Sequence, residues 1–308
     1  MGSSSGKQSS ARLTELRGKD EVLAFLRASG FDVAAAARAQ FGDGEPVGAL
    51  LVGSVAEGYQ TASSDVDILF LTYAERDDLR TSSSLLIESG RSFETLTYAD
   101  GVEVNTEVIC RDDYDSLADR LDHVAGAMAV GAQMSKLPMI DNYSLRFLHR
   151  LRTGIVLFGD DVVDEFRVDF HVQALPLYLS VKYLVLARES LEDARSASHA
   201  TPGLVEFICR DILEHCLLAL AAGQGFTSQS RRFVMNWLAD AAPDAPHGEW
   251  FRALRSRLLT RTVVGSDAKQ ALVDEASEAF EYVRSALRED PVRRRVVDQV
   301  FARITYAD

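Results

Sequence analysis

Residues 50–70 read Leu50-Leu51-Val52-Gly53-Ser54-Val55-Ala56-Glu57-Gly58-Tyr59-Gln60-Thr61-Ala62-Ser63-Ser64-Asp65-Val66-Asp67-Ile68-Leu69-Phe70. An apolar strand runs into Gly53-Ser54, a short helix starts there, and a second strand carries Asp65 and Asp67. Strand side chains alternate, so the two aspartates face the same way, with Cα atoms roughly 6.6–6.8 Å apart. Val66, Ile68 and Phe70 face the opposite side and anchor the strand in the core. Two neighbouring carboxylates on so apolar a strand repel unless something neutralises them. A divalent cation is the simplest remedy, and oxygen-only ligands favour Mg²⁺. Gly53 has no Cβ, so backbone there can approach a bulky anion. Ser54 adds a hydroxyl donor, and the outward N–H groups of a helix start suit phosphate.

Upstream, Asp20–Ala28 carries Val22, Leu23, Phe25 and Leu26 at helical spacing, and Val33–Gln40 is an Ala-rich helix. Gly42 to Pro46 reads as a loop. Val47–Val52 and Asp65–Leu71 are strands, and Thr95–Tyr98 is a third, followed by a turn at Asp100-Gly101. Val102–Cys110 (VEVNTEVIC) alternates most cleanly of all. After Cys110 the strands are expected to stop. Helical spacing then runs through Tyr114–Val130, Tyr143–Leu157, Leu175–Asp193, Pro202–Ala222, Gln229–Ala241, Glu249–Thr262, Ala268–Arg288 and Val292–Arg303. Strands first and helices afterwards predict an α+β arrangement: a mixed sheet with flanking helices, then an all-helical C-terminal domain. The expected division is 1–18 as a disordered Ser/Gly-rich lead-in, 19–137 as the sheet domain and 138–308 as the helical domain.

Gly-Ser, ten residues, then Asp-hydrophobic-Asp-hydrophobic resembles the signature of the DNA polymerase β-like nucleotidyltransferase superfamily. The resemblance covers about residues 47–110; beyond them the chain is similar only in general character to the helical domains of small-molecule nucleotidyltransferases. The resemblance implies metal-assisted nucleotidyl transfer. Asp65 and Asp67 would hold Mg²⁺, with two ions roughly 3.5–4 Å apart serving the attacking and leaving oxygens. Gly53 and Ser54 would bind the nucleotide's β/γ-phosphates, Ser64 would also contact the nucleotide, and Lys182, on an apolar helix, would reach the triphosphate. A third carboxylate is implied on a neighbouring strand. Glu103, Asn105 and Glu107 share a face there, and Glu107 is the first choice as metal ligand and base, with Glu103 the alternate. Relatives often carry Asp where Asn105 stands; an amide can ligate through its oxygen but cannot act as a base. Arg146, Arg150 and Arg152 are further phosphate candidates.

The chain has 308 residues, and its charge balance of 33 basic against 46 acidic residues gives −13. Such a surface repels a phosphate backbone, which argues against a duplex nucleic-acid partner. A nucleotide delivered as its magnesium complex, ATP or another NTP, remains compatible. Cys110, Cys209 and Cys216 are too scattered for a zinc site or a disulfide framework and read as small buried side chains, fitting reduced thiols and a cytoplasmic location. No run of about 18 apolar residues predicts a membrane span. Arg210 and His215 match the loose Arg-x4-His pattern of HEPN ribonucleases. Five residues turn about 500°, which leaves the pair some 140° apart on a helix. The leading expectation is therefore a transferase moving a nucleoside monophosphate, AMP first, to a hydroxyl of a small molecule. A cyclic or oligonucleotide messenger synthase, a protein-modifying antitoxin-like transferase and a non-catalytic nucleotide sensor are the alternatives. A homodimer stays open.

Overall fold

Strand β2 (Val66–Thr72) is buried along nearly its whole length and sits in the middle of a six-stranded mixed sheet ordered β3-β4-β5-β2-β1-β6. The computed structural model describes residues 19–41, 47–61, 63–75, 87–88, 93–130, 137–197, 202–241, 247–260 and 267–302. The expected lead-in (1–18) and the loop at 42–46 lie outside the described residues. Helices α1 (Lys19–Ala28) and α2 (Val33–Phe41) precede β1 (Val47–Val52), which runs straight into the four-residue helix α3 (Gly53–Ala56). After β2 come β3 (Ile87–Glu88), β4 (Phe93–Ala99) and β5 (Val102–Cys110). β2 and β5 are parallel; every other neighbouring pair is antiparallel. β4 and β5 form a hairpin turning on Asp100-Gly101, where φ is +48° and +78°. Two successive positive φ values match the right-handed twist of paired strands, and Asp-Gly supplies them cheaply.

One face of the sheet is apolar. Ala49, Leu51, Val66, Ile68, Phe70, Val104 and Val108 project there and form one core with Val22, Phe25, Leu26, Val33 and Ala37 of α1 and α2. Strand alternation puts Val52, Asp67, Leu69, Asn105 and Glu107 on the other face. That second face is itself largely buried, with Leu50, Val52, Leu69 and Leu71 around the few polar side chains it carries.

The expectation that strands end at Cys110 is corrected. α4 (Asp115–Val130) and α5 (Asn142–Thr153) are followed by a sixth strand, β6 (Ile155–Phe158), which pairs with β1. The expected helix over Tyr143–Leu157 therefore stops at Gly154. There the Gly154 amide closes on the Arg150 carbonyl at 2.8 Å, and an added Cβ would meet that oxygen at 2.7 Å and Val52 Cγ1 at 3.1 Å. Apolar residues at Ile155, Val156 and Leu157 fit either period, so spacing alone does not separate the helix from the strand. The compact units follow this connection. Of the described residues, one unit takes those up to Asp119 together with Asp141–Val172, the latter bringing in β6 and α6 (Asp160–Asp169); the other takes Arg120–Ile140 and Gln173 onward. The division thus falls elsewhere than the expected 137/138, because residues 141–172 complete the sheet unit.

The second unit is helical: α7 (Leu175–Ser196), α8 (Pro202–Gly223), α9 (Arg231–Ala241), α10 (Gly248–Thr260), α11 (Asp267–Leu287) and α12 (Pro291–Ala302). α7 and α8 are its centre, with Leu184, Ala187, Ile212, Cys216 and Ala219 fully buried. Gly223 lies so near α11 that a Cβ would meet Leu287 Cδ2 at 2.6 Å. All three cysteines are buried thiols, and burial pushes Cys209 up to about 11 and Cys216 higher still. Among the described residues no single helix is long and apolar enough to cross a membrane.

Candidate functional site

β1 and β2 bring the two halves of the quoted segment together. Val52 pairs with Asp67, so the next residue, Gly53, begins α3 beside the Asp67 side chain. Gly53 has φ +72°, and a Cβ added there would fall 2.2 Å from Asp67 Oδ2. The glycine is required twice, once for its left-handed backbone and once because the carboxylate occupies the space a side chain would fill. Ser54 is 5% exposed in the first turn of α3, and its carbonyl accepts from the Tyr59 amide at 2.9 Å. Ser64 shapes the approach to β2: its hydroxyl accepts from the Thr61 amide at 2.8 Å, and its own amide donates to the Thr61 carbonyl at 3.1 Å.

Asp65 stands one residue ahead of β2, and Asp67 is its second residue. The parallel register sets Asp67 beside Asn105 on β5. Asn105 Nδ2 donates to Asp65 Oδ2 at 2.7 Å and the same side chain hydrogen-bonds Asp67. One neutral amide thus gathers both carboxylates. Burial holds the Asp67 carboxyl above the usual carboxylate range; Arg150 opposes that, the Asp65 charge adds to it, and the Asn105 hydrogen bond and Arg146 again oppose it.

Glu107 is two residues further along β5, opposite Leu69 and not opposite an aspartate. Its residue is 8% exposed. Tyr143 donates its hydroxyl to Oε1 at 2.7 Å, Arg150 donates to Oε2, and Arg146 lies 3.6 Å from Oε2. These three come from α5, where spacing of three and then four residues puts Tyr143, Arg146 and Arg150 on one face. That helix is started by Asp141, whose carboxylate accepts from the Ser144 amide and hydroxyl, both at 2.8 Å. Glu107 is thus engaged by two guanidinium groups and a phenol. The alternate, Glu103, lies on the same face two residues before Asn105, at the hairpin end of β5, where Tyr98 donates to it at 3.3 Å.

The structure therefore brings Gly53, Ser54, Asp65 and Asp67 together and adds Asn105. The expected third carboxylate is instead drawn to the basic face of α5. Among the described residues no group of three His, Cys, Asp or Glu side chains is placed to hold a metal. The donors present, two carboxylates beside a glycine turn, suit one hard cation that keeps water or phosphate oxygens in its other positions. Lys182 belongs to the helical unit, with its ammonium 6.0 Å from the Tyr183 ring centroid. Two site features escaped the sequence reading. Tyr143 was legible from its spacing to Arg146 and Arg150. The buried pair of His149 Nε2 and Glu57 Oε1, 3.2 Å apart, joins residues 92 positions apart and left no local signal.

The ribonuclease-like pair diverges as the helix geometry requires. Arg210 reaches back to Glu206 at 2.8 Å, while His215 stacks on Tyr183 with ring centroids 6.1 Å apart.

No protein-family model matches the chain, and no curated protein matches it. Among solved structures it is similar to a nucleotidyltransferase-like protein from Exiguobacterium sibiricum 255-15, with a TM-score of 0.42 and 11% identity over 87% of this chain and 76% of that one. The functional reading accordingly rests on the residues of the site.

Proposed function

We propose that the protein is a Mg²⁺-dependent nucleotidyltransferase that moves a nucleoside monophosphate from an NTP, ATP first among them, to a hydroxyl of a small-molecule acceptor. The observation that carries this reading is the fit of the Asp67 carboxylate over Gly53, at the point where β1 turns into α3 beside β2. A glycine turn placed against paired carboxylates offers backbone for phosphate oxygens and acids for the cation that accompanies them. Asp65 and Asp67 would hold that ion, which when bound supplies Lewis-acid polarisation of the phosphoryl group and stabilises the leaving oxygen. Gly53 and Ser54 line the phosphate side of the turn, and Ser64 fixes the strand entry that aims Asp65. In the reaction the acceptor oxygen forms a bond to the α-phosphorus, the bond to the bridging oxygen breaks, pyrophosphate leaves, and the hydroxyl proton passes to solvent water. Glu107, held by Arg150 and Tyr143, is not given the base role.

The test is incubation with each of the four NTPs and Mg²⁺, with and without a metabolite panel, reading pyrophosphate and product masses. Asp67→Asn is the control. Pyrophosphate release that needs a small acceptor and Asp67 supports the reading. A cyclic or linear oligonucleotide product reassigns the protein to messenger synthesis. Absence of both turnover and Mg²⁺-dependent NTP binding removes the transferase reading altogether.

A further inference from the structure

We infer that the site takes one divalent cation where the superfamily resemblance implied two, and that Arg150 and Arg146, anchored by Glu107, supply the second positive charge towards a bound polyphosphate. The inference rests on the nucleotidyl-transfer reading and sharpens it.

The position beside Asp67 on the neighbouring strand is decisive, because a third carboxylate there would complete a second ion's ligand set. The register puts Asn105 in that place, and its amide already bonds both aspartates. The amide nitrogen donates and does not ligate, and the amide oxygen, though it can ligate, brings no negative charge to a second ion. The nearest glutamate along the strand, Glu107, has one oxygen on the Tyr143 hydroxyl at 2.7 Å and the other on Arg150, with Arg146 3.6 Å away. A cation placed on Glu107 would meet two guanidinium groups that cannot lose their charge. The same arginines lie on the aspartates' face of the sheet, since both hold Glu107, two residues along β5 from Asn105, the register partner of Asp67. They lie four residues apart on one face of α5. The two side chains differ in exposure. Arg150 is 14% exposed and committed to Glu107, whereas Arg146 is 50% exposed and keeps donors towards solvent. An incoming polyphosphate can therefore be met by Arg146 directly, with Glu107 and Arg150 acting as positioning residues beneath it. Guanidinium suits that task through its planar set of donors to phosphate oxygens.

The probes are Mn²⁺ and inorganic tripolyphosphate. Mn²⁺ is counted per chain by equilibrium dialysis with elemental analysis, alone and with tripolyphosphate, for wild type, Glu107→Gln and Asp67→Asn. One ion in wild type, one ion in Glu107→Gln with affinity within about twofold, and none in Asp67→Asn is the expected pattern. Two ions in wild type, or an ion lost or bound about tenfold more weakly in Glu107→Gln, overturns the inference and leaves the transferase reading standing. No ion in wild type overturns both. Should Glu107→Gln fail to fold, the wild-type count still decides. Calorimetry with tripolyphosphate and Mg²⁺ tests the arginines: Arg146→Gln weakens binding about tenfold, with Arg146→Lys recovering part of the loss. Unchanged affinity in Arg146→Gln overturns their assigned role.

Discussion

β2 and β5 lie side by side in parallel register, and both aim acids at the same face of the sheet, yet the acids have opposite surroundings. Asp65 and Asp67 are gathered by a neutral amide, while Glu107 is gripped by Arg150, Tyr143 and Arg146. Among the described residues the first pair makes no direct ion pair, whereas the second acid spends its charge holding cations. Position in an alternating strand determines only the face a carboxylate points to. Its chemistry comes from the helix laid across that face, here α5. The lesson is that a Glu at the expected spacing and a Glu available to a ligand are different things.

Making β2 resemble β5's neutral position gives the largest effect. Asp67→Asn should lower turnover with the preferred NTP about 10²–10³-fold, the size of loss when one preorganised electrostatic group is removed. Pyrophosphate release measured at saturating Mg²⁺ checks it, and full retention would sink the reading of β2 as the ion-binding strand. Next comes the opposite operation on β5. Arg150→Met strips Glu107 of its closest cation and leaves a nearly buried acid with Tyr143 and a more distant Arg146. We expect a loss of about 2–3 kcal/mol in urea unfolding, because an abandoned buried charge costs more than the pair contributed. The double variant Arg150→Met, Glu107→Gln should be more stable than the single one. If both variants are equally stable, the pair is not coupled, and the contrast between the strands loses its basis.

Much of this contrast could be read from the chain, and the rest could not, for reasons of distance along the sequence. The strand–Gly53–Ser54–strand segment was legible because each part is local: apolar runs of strand length, a glycine at a turn, and acids two apart. The Asp100-Gly101 hairpin and the helical second unit were legible for the same reason. β6 was missed because Ile155–Phe158 is apolar at every position, and its identity is decided by pairing with β1, about 100 residues earlier. Glu107 stands out in the sequence because it shares a face with Asn105. What it meets there is set by α5, whose Tyr143 and Arg150 lie 36 and 43 residues away. Asn105 is recognisable as a departure from the related pattern, but only the register with Asp67 shows that it occupies the decisive place. Periodicity gives the direction of a side chain; it carries no information on which helix will cover it.

Gly53→Ala gives a smaller change that separates local fit from global stability. The added methyl falls on Asp67 Oδ2, and φ of +72° disfavours any side chain. The backbone strain alone costs about 1–2 kcal/mol. Because the clash is with the carboxylate, the thermal stabilisation produced by Mg²⁺ should shrink more than the basal melting temperature falls. Equal Mg²⁺ shifts in both proteins would mean that the cradle does not matter to the cation.

The smallest effect concerns Asp67 without any ion, and its sign runs against the loss of turnover. Burial raises the native carboxyl's affinity for its proton above that of the unfolded chain, where the value is 3.8. Between that value and the higher native one, the folded protein binds more protons, so this group's contribution to stability is most favourable in acid and declines as pH rises through the window. Above the window the charged, partly desolvated Asp67 is a standing cost. Asp67→Asn removes it, and at pH 7 in EDTA the variant should be more stable by on the order of 1 kcal/mol, the low end of what desolvating an incompletely partnered group costs. Asp32 has the opposite sign, since the Ala35 amide holds it low, so the quantity to follow is the difference between variant and wild type across pH and not either curve alone. The difference should vanish towards pH 3, where both side chains are neutral. It should also close as Mg²⁺ is added at pH 7, since the ion stabilises only the protein that binds it. An Asn variant less stable than wild type in EDTA would show that Arg150 and Arg146 already compensate Asp67, and would move it to the same side of the comparison as Glu107.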